Sequence, residues 1–158
     1  MDHTKFRIET ADKDDAPELL ALQKRAFKPV ADKLGWDEIP QMTDTLEHSL
    51  ADFGDELILK MLNDEGRIIG SVRGKVTDGA LYIGRLMVDP DYQGMGLGRA
   101  LQRALESRFE FKSEWLYSYS GDSAACSFYK RDGFHEVKSE EVGNGVYAFV
   151  LNKEANSK

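Results

Sequence analysis

Cysteine is almost missing from this chain. Cys126 stands alone among 158 residues, so no intramolecular disulfide framework is available, and a reducing, cytoplasmic setting is the expectation. Histidine is scarce too: His3, His48 and His135 share no ligand spacing with one another or with Cys126, which argues against zinc and implies no metal. Long apolar runs are lacking. No stretch approaches the ~20 residues that span a bilayer, and Met1 to Glu9 holds no apolar run that could serve as a signal peptide. Basic residues are in deficit, 21 Lys and Arg against 28 Asp and Glu, for a net charge of -7. That balance argues against nucleic acid or an anionic membrane as partner and mildly favours a cationic acceptor.

With 41% hydrophobic and 31% charged residues, the composition is that of a soluble globular protein. Its length predicts one domain over residues 1–158, large enough to bury about two-thirds of its unfolded surface. Phe6 to Glu9 alternates like a strand. Asp12 or Asp14 then caps a helix with Pro17 in its first turn and Leu19, Leu20, Gln23, Ala26 and Phe27 on one side. Lys28 to Met42 has no clear period and reads as a loop, after which Asp44 and Glu47 are spaced as a capping box for a helix striped by Leu46, Leu50 and Phe53. Glu56 to Leu62, Arg67 to Val76 and Leu81 to Val88 read as three hairpin-connected strands.

Leu81 to Phe109 is the most informative stretch: an apolar strand, Asp89-Pro90, the run Gln93-Gly94-Met95-Gly96-Leu97-Gly98, then an amphipathic helix carrying Leu101, Ala104, Leu105 and Phe109. Glycines let the backbone turn tightly and bring successive amides close to an anion, and the helix start adds unpaired N–H groups and a positive dipole end. A phosphorylated ligand is the expectation. The loop ends in Gly98-Arg99-Ala100 where a Walker loop needs Gly-Lys-Ser/Thr, and its Gly-x-Gly-x-Gly spacing departs from the dinucleotide fingerprint. Beyond it come a strand from Trp115 to Tyr119, a short helix from Asp122 to Gly133, and a last hairpin pairing Phe134 to Val137 with Val146 to Leu151. Asn152 to Lys158 reads as a frayed tail.

This order of elements, with Gln93 to Gly98 matching Gln/Arg-x-x-Gly-x-Gly/Ala and with Phe128-Tyr129-Lys130-Arg131-Asp132-Gly133-Phe134 near the end, resembles the GNAT superfamily of acetyl-CoA-dependent N-acetyltransferases. The resemblance covers Phe6 to Leu151. It implies a mixed α/β fold of about seven mostly antiparallel strands, the central ones splayed, flanked by four helices. It further implies that the amides of Gly94, Met95, Gly96, Leu97, Gly98 and Arg99 hold the coenzyme A pyrophosphate, with the Arg99 guanidinium adding a contact. The backbone of Leu86, Met87 and Val88 would receive the pantetheine arm at a bulge, and an amide near Met87 or Val88 would stabilise the oxyanion. Ala125 and Asp122 would complete the cofactor side, although Asp122 replaces a frequent asparagine and serves equally as a helix cap.

Tyr129 is the residue expected to protonate the departing thiolate, the other reading being a helix tyrosine packed on Phe128 and Phe134. The family often carries a glutamate base nine positions before the motif glutamine. Here that position is Gly84. Trp36, Glu38, Tyr82 and Arg85 are the candidates for the acceptor side, Arg85 as a carboxylate clamp or as a salt-bridged structural residue. Cys126 reads as a small buried hydrophobe. The expected activity is acetyl transfer to a primary amine of a small molecule or peptide in a ternary complex. The alternative is a non-catalytic acyl-CoA sensor or interaction module. The last hairpin could pair with a second subunit, making a homodimer one expectation.

Overall fold

The computed structural model describes residues 5–155, so His3 lies outside the described residues. Strand β1 (Arg7–Thr10) leads through a 3-10 turn at Lys13–Asp15 into α1 (Ala16–Leu34). Asp12 caps that turn reciprocally, accepting from Asp14 N–H at 2.9 Å while its own N–H donates to Asp15 at 3.0 Å. Helix α1 runs seven residues past Phe27, into the segment expected to be loop. Pro29 is exposed there, so the missing N–H is tolerated, while fully buried Ala31 continues the inward stripe. Gly35, at φ +65°, stops the helix; Trp36 N–H closes on the Ala31 carbonyl at 3.2 Å.

A one-turn helix α2 (Pro40–Thr43) and α3 (Leu46–Asp52) follow. Five α-helices therefore stand among the described residues where four were expected. The cap of α3 is Thr45, whose hydroxyl accepts from His48 N–H at 3.2 Å, and not Asp44. Strands β2 (Leu57–Leu62), β3 (Ile68–Thr77) and β4 (Ala80–Val88) form the expected meander, then come α4 (Leu97–Glu106), β5 (Ser113–Tyr119), α5 (Ser123–Arg131), β6 (His135–Gly143) and β7 (Val146–Glu154). The last hairpin is longer than expected. Strand β6 is exposed almost throughout and so carries no hydrophobic alternation to betray it, and β7 takes Asn152 to Glu154 out of the supposed tail, of which residues 156–158 lie outside the described residues.

The seven strands form a mixed sheet in the order β1-β2-β3-β4-β5-β7-β6, with β4 and β5 parallel and every other neighbour antiparallel. Two apolar layers hold it. On one face Leu97, Leu101 and Leu105 of α4 pack on Leu59, Val72, Leu81, Ile83 and Leu116; on the other, Leu19, Leu22 and Ala26 of α1 pack on Ile58, Ile68 and Met87. Strand β3 lies between both layers, and its buried run from Ile68 to Gly74 reflects that double cover. Among the described residues no helix is long and apolar enough to cross a membrane.

Candidate active site

Strands β4 and β5 pair only from Ala80–Tyr82 to Ser113–Trp115 and then part. A cleft of about 650 Å³ opens in the gap. Its floor is β4 from Tyr82 to Val88; Tyr117 to Tyr119 of β5 and Asp122, Ala125 and Tyr129 at α5 form one wall, and the α1–α2 connection and β6 the other rim. The parting is built into β4 by a bulge. Ser71 pairs with Met87 and Arg73 with Gly84, so β4 spends one residue more than β3 over that stretch. Arg85 sits in the bulge at φ +49°, a strained conformation for a residue with a Cβ. It is held by Asp44, whose carboxylate accepts from Arg85 Nη2 at 3.1 Å and Nε at 3.3 Å, and also from Gln23 Nε2 at 2.8 Å. Met87 and Val88 pair with Ser71 and Gly70 on the β3 side, and Leu86 joins them in lining the cleft.

The glycine loop closes one end of this floor. Asp89, 2% exposed, accepts from Asp91 N–H at 2.9 Å and pairs with Arg25 at 2.7 Å, while Gln93 Nε2 donates to the Val88 carbonyl at 3.2 Å. Burial alone would raise the Asp89 pKa; the Asp91 amide and Arg25 outweigh it and hold the carboxyl below its usual value. Gly94 and Gly96 lie at φ +79° and +78°, where a side chain would strain the backbone. The first backbone bond of α4 runs from Ala100 N–H to Gly96 O at 3.2 Å. Leu97, Gly98 and Arg99 therefore offer amides with no acceptor inside the helix. Met95 packs against the α4 core layer.

Gly98 is informative in a different way. A Cβ there would meet only Phe128 at 3.8 Å and Val88 at 4.0 Å, ordinary contacts, so neither backbone nor packing asks for glycine. A bare backbone at this point fits a bulky anion lying on the helix start. The Arg99 guanidinium, expected to add a phosphate contact, has partners within the fold. It donates to Gln102 at 2.8 Å and to the Phe128 carbonyl at 2.9 Å, pairs with Asp132 at 3.3 Å and lies 3.9 Å from the Phe128 ring centroid. Its amide stays with the loop.

Tyr129 lines the cleft and is also packed edge-on to Phe128 and Phe134, at 5.1 and 5.8 Å between ring centroids. A place in the cleft lining and packing on both rings coexist in one geometry. Burial pushes its phenol well above the usual value, with Arg99 opposing. Asp122 caps α5 by accepting from Ala125 N–H at 3.4 Å and pairs with Lys33 at 3.4 Å. Cys126 is buried beside Ser118 Oγ at 3.2 Å.

Gly84, where the resemblance would put a base, is roofed by Tyr82: a Cβ at Gly84 would lie 2.7 Å from the Tyr82 hydroxyl. Tyr82 is fixed in turn by Trp115 at 4.8 Å and Tyr117 at 6.5 Å, and burial raises its phenol pKa. Trp36 meets the last hairpin, its ring 2.7 Å from where a Gly143 Cβ would stand, and Asn144 Nδ2 donates to the Gly35 carbonyl at 3.2 Å. Trp36, Glu38, Tyr82 and Arg85 do converge on the same cleft. Sequence reasoning missed Gln41, which accepts from Tyr119 O–H at 2.8 Å, along with Tyr117 and Glu140. Tyr117 stood in a recognised aromatic strand; Gln41 and Glu140 gave no local signal.

A model of the acetyltransferase (GNAT) family matches residues 17–134. Solved structures share the fold. PaiA N-acetyltransferase from Thermoplasma acidophilum in complex with coenzyme A is 19% identical, with 95% of this chain and 99% of that one covered at a TM-score of 0.75. The ribosomal-protein-S18-alanine N-acetyltransferase from Escherichia coli is 21% identical, covering 96% and 97% at 0.75. yncA from Salmonella typhimurium, a putative acetyltransferase with its cofactor acetyl-CoA, is 18% identical, covering 98% and 96% at 0.72. No curated protein matches the chain.

Proposed function

Since the chain belongs to the GNAT family of acetyltransferases, we propose that it transfers the acetyl group of acetyl-CoA to a primary amine by direct attack, with both molecules held in the β4–β5 cleft. The observation that carries this reading is the parted strand pair with a glycine loop at its end, bare at Gly98 for no reason of the fold's own. Acetyl-CoA supplies the activated acyl group. Amides of residues 94 to 99 bind its diphosphate; Leu86 to Val88 orient its arm through main-chain groups, with an amide at Met87 or Val88 facing the acyl oxygen.

Tyr129 gives its proton to the leaving sulfur. Burial keeps the phenol protonated, and the same dry surroundings raise the basicity of a sulfur anion formed beside it, which narrows the gap between them. Gly84 supplies no base, and Tyr82 fills the space above it, so the ammonium proton leaves by way of water on the acceptor side. Residues 1–158 act as a single domain with its core over about 6–151, a cytoplasmic location fits the lone cysteine, and the exposed strand β6 is the edge a second copy would use.

A release assay for free thiol tests the reading. Turnover is expected with some member of a panel of small amines and peptides, and Tyr129→Phe should lower kcat by about 100-fold, the lower end for a positioned acid, with the KM for acetyl-CoA within about twofold. An undiminished kcat removes the acid role. The roofed Gly84 favours a second reading, a sensor of acyl-CoA without turnover; saturable coenzyme A binding in calorimetry with no thiol released on any amine would establish that one instead.

A further inference from the structure

Four charged side chains line the cleft: Glu38, Arg85, Asp122 and Glu140. Their partners divide them sharply. Arg85 is bound at two nitrogens by Asp44, and Asp122 is committed to Lys33 and to the start of α5. Glu38 and Glu140 make no hydrogen bond or ion pair with any described side chain. Among the described residues, the cleft thus presents two carboxylates without a side-chain partner and no cation without one.

These carboxylates come from separate elements, Glu38 from the α1–α2 connection and Glu140 from β6. The two elements are fastened to each other by the Trp36 ring against Gly143 and by the bond from Asn144 to Gly35. The two segments that carry the carboxylates are therefore held together by the fold. The same cleft is also lined by apolar and aromatic side chains: Trp36, Tyr117, which is 48% exposed, and Val142. Such surfaces take a methylene chain, and rings also attract a cation.

We propose that the acceptor is an aliphatic di- or polyamine, one nitrogen of which reacts while a second cationic centre is read by Glu38 and Glu140. The choice of reacting nitrogen rests on the acetyl-transfer reading; the recognition does not. The net charge of -7 works in the same direction by drawing cations toward the protein. An acceptor bearing a carboxylate finds Arg85 already occupied and two like charges in its path.

Three probes of equal chain length separate the terms: 1,4-diaminobutane, butylamine and 4-aminobutanoate, which place a positive, neutral or negative group at the far end. Calorimetry on the coenzyme A-saturated protein measures amine binding, and thiol release measures transfer from acetyl-CoA. The diamine should bind about tenfold more tightly than butylamine, with 4-aminobutanoate weakest, and the preference should shrink as salt is raised. Glu38→Gln and Glu140→Gln should each reduce the ratio of diamine to monoamine affinity about threefold, and the double variant should bring it near unity. Both positions are exposed, and circular dichroism confirms that the variants fold. Equal binding of all three amines, tighter binding of 4-aminobutanoate, or a ratio indifferent to both substitutions would overturn the proposal. Diamine binding in the predicted order without thiol release would uphold the recognition and remove the transfer reading.

Discussion

At the scale of single residues, the glycines of this chain are bare for different reasons, and the differences can be measured. Gly84 has no room for a methyl group, because the Tyr82 ring lies within 2.9 Å of where it would stand. Gly98 has room and an ordinary helical position. Gly98→Ala should therefore leave the fold intact and even favour α4 by up to about 1 kcal/mol, while weakening coenzyme A binding tenfold or more by calorimetry. A melting temperature that falls together with unchanged coenzyme A affinity would assign this glycine to packing instead. The glycine loop was plainly legible in the sequence. Which of its members serves the backbone, and which leaves space for a ligand, depends on what stands across from each one, and only the folded chain supplies that.

Among elements, the informative case is Asp44, which ties α1, the α2–α3 connection and β4 together. Read locally, Asp44 and Glu47 have the spacing of a helix cap; Thr45, one residue on, does that work. A carboxylate that a capping rule assigns to its own neighbours is instead used by Gln23 and Arg85, 21 and 41 residues away. No local pattern distinguishes the two uses. This pairing holds Arg85 in its strained conformation, so Asp44→Ala should destabilise the protein by about 2 kcal/mol in urea unfolding, as for a partly buried charge left unpaired. It should also raise the KM for acetyl-CoA through a looser bulge. Arg85→Gly accepts φ +49° without strain and should cost less. An equal loss in both variants would locate the stabilisation in the ion pair alone. The long α1 was hidden for a related reason, since Pro29 looks like a terminus unless its exposed placement on the helix is known.

Over the whole molecule, carboxylates set opposite limits on stability. Glu114 is 3% exposed, its Oε1 has no hydrogen-bond partner, and burial followed by the proximity of Glu106 pushes its pKa from 4.5 up to about 8 against the pull of Lys153. The folded state thus holds a proton that the unfolded chain releases. Stability from this group is complete below pH 4.5 and is lost as pH rises toward 8. Asp89 and Asp132 behave in reverse: burial is outweighed by the Asp91 amide and Arg25 at one and by Arg103 and Lys153 at the other, so their contribution is lost only as pH falls below the usual carboxylate range. Melting temperatures should therefore decline from pH 5 toward pH 8, and Glu114→Gln should flatten that decline. A slope identical in the variant would place the titrating group elsewhere.

Three residue pairs between β4 and β5 join the first four strands of the sheet to the last three. In mechanical terms the plate is notched, and bending load gathers at the closed tip, where Tyr82, Trp115 and Tyr117 pack edge-on and tilted against one another like a rivet. Anything wedged along the notch and bonded to its edge stiffens both halves at once, so the line where the sheet is least joined is also the one that a bound guest reinforces.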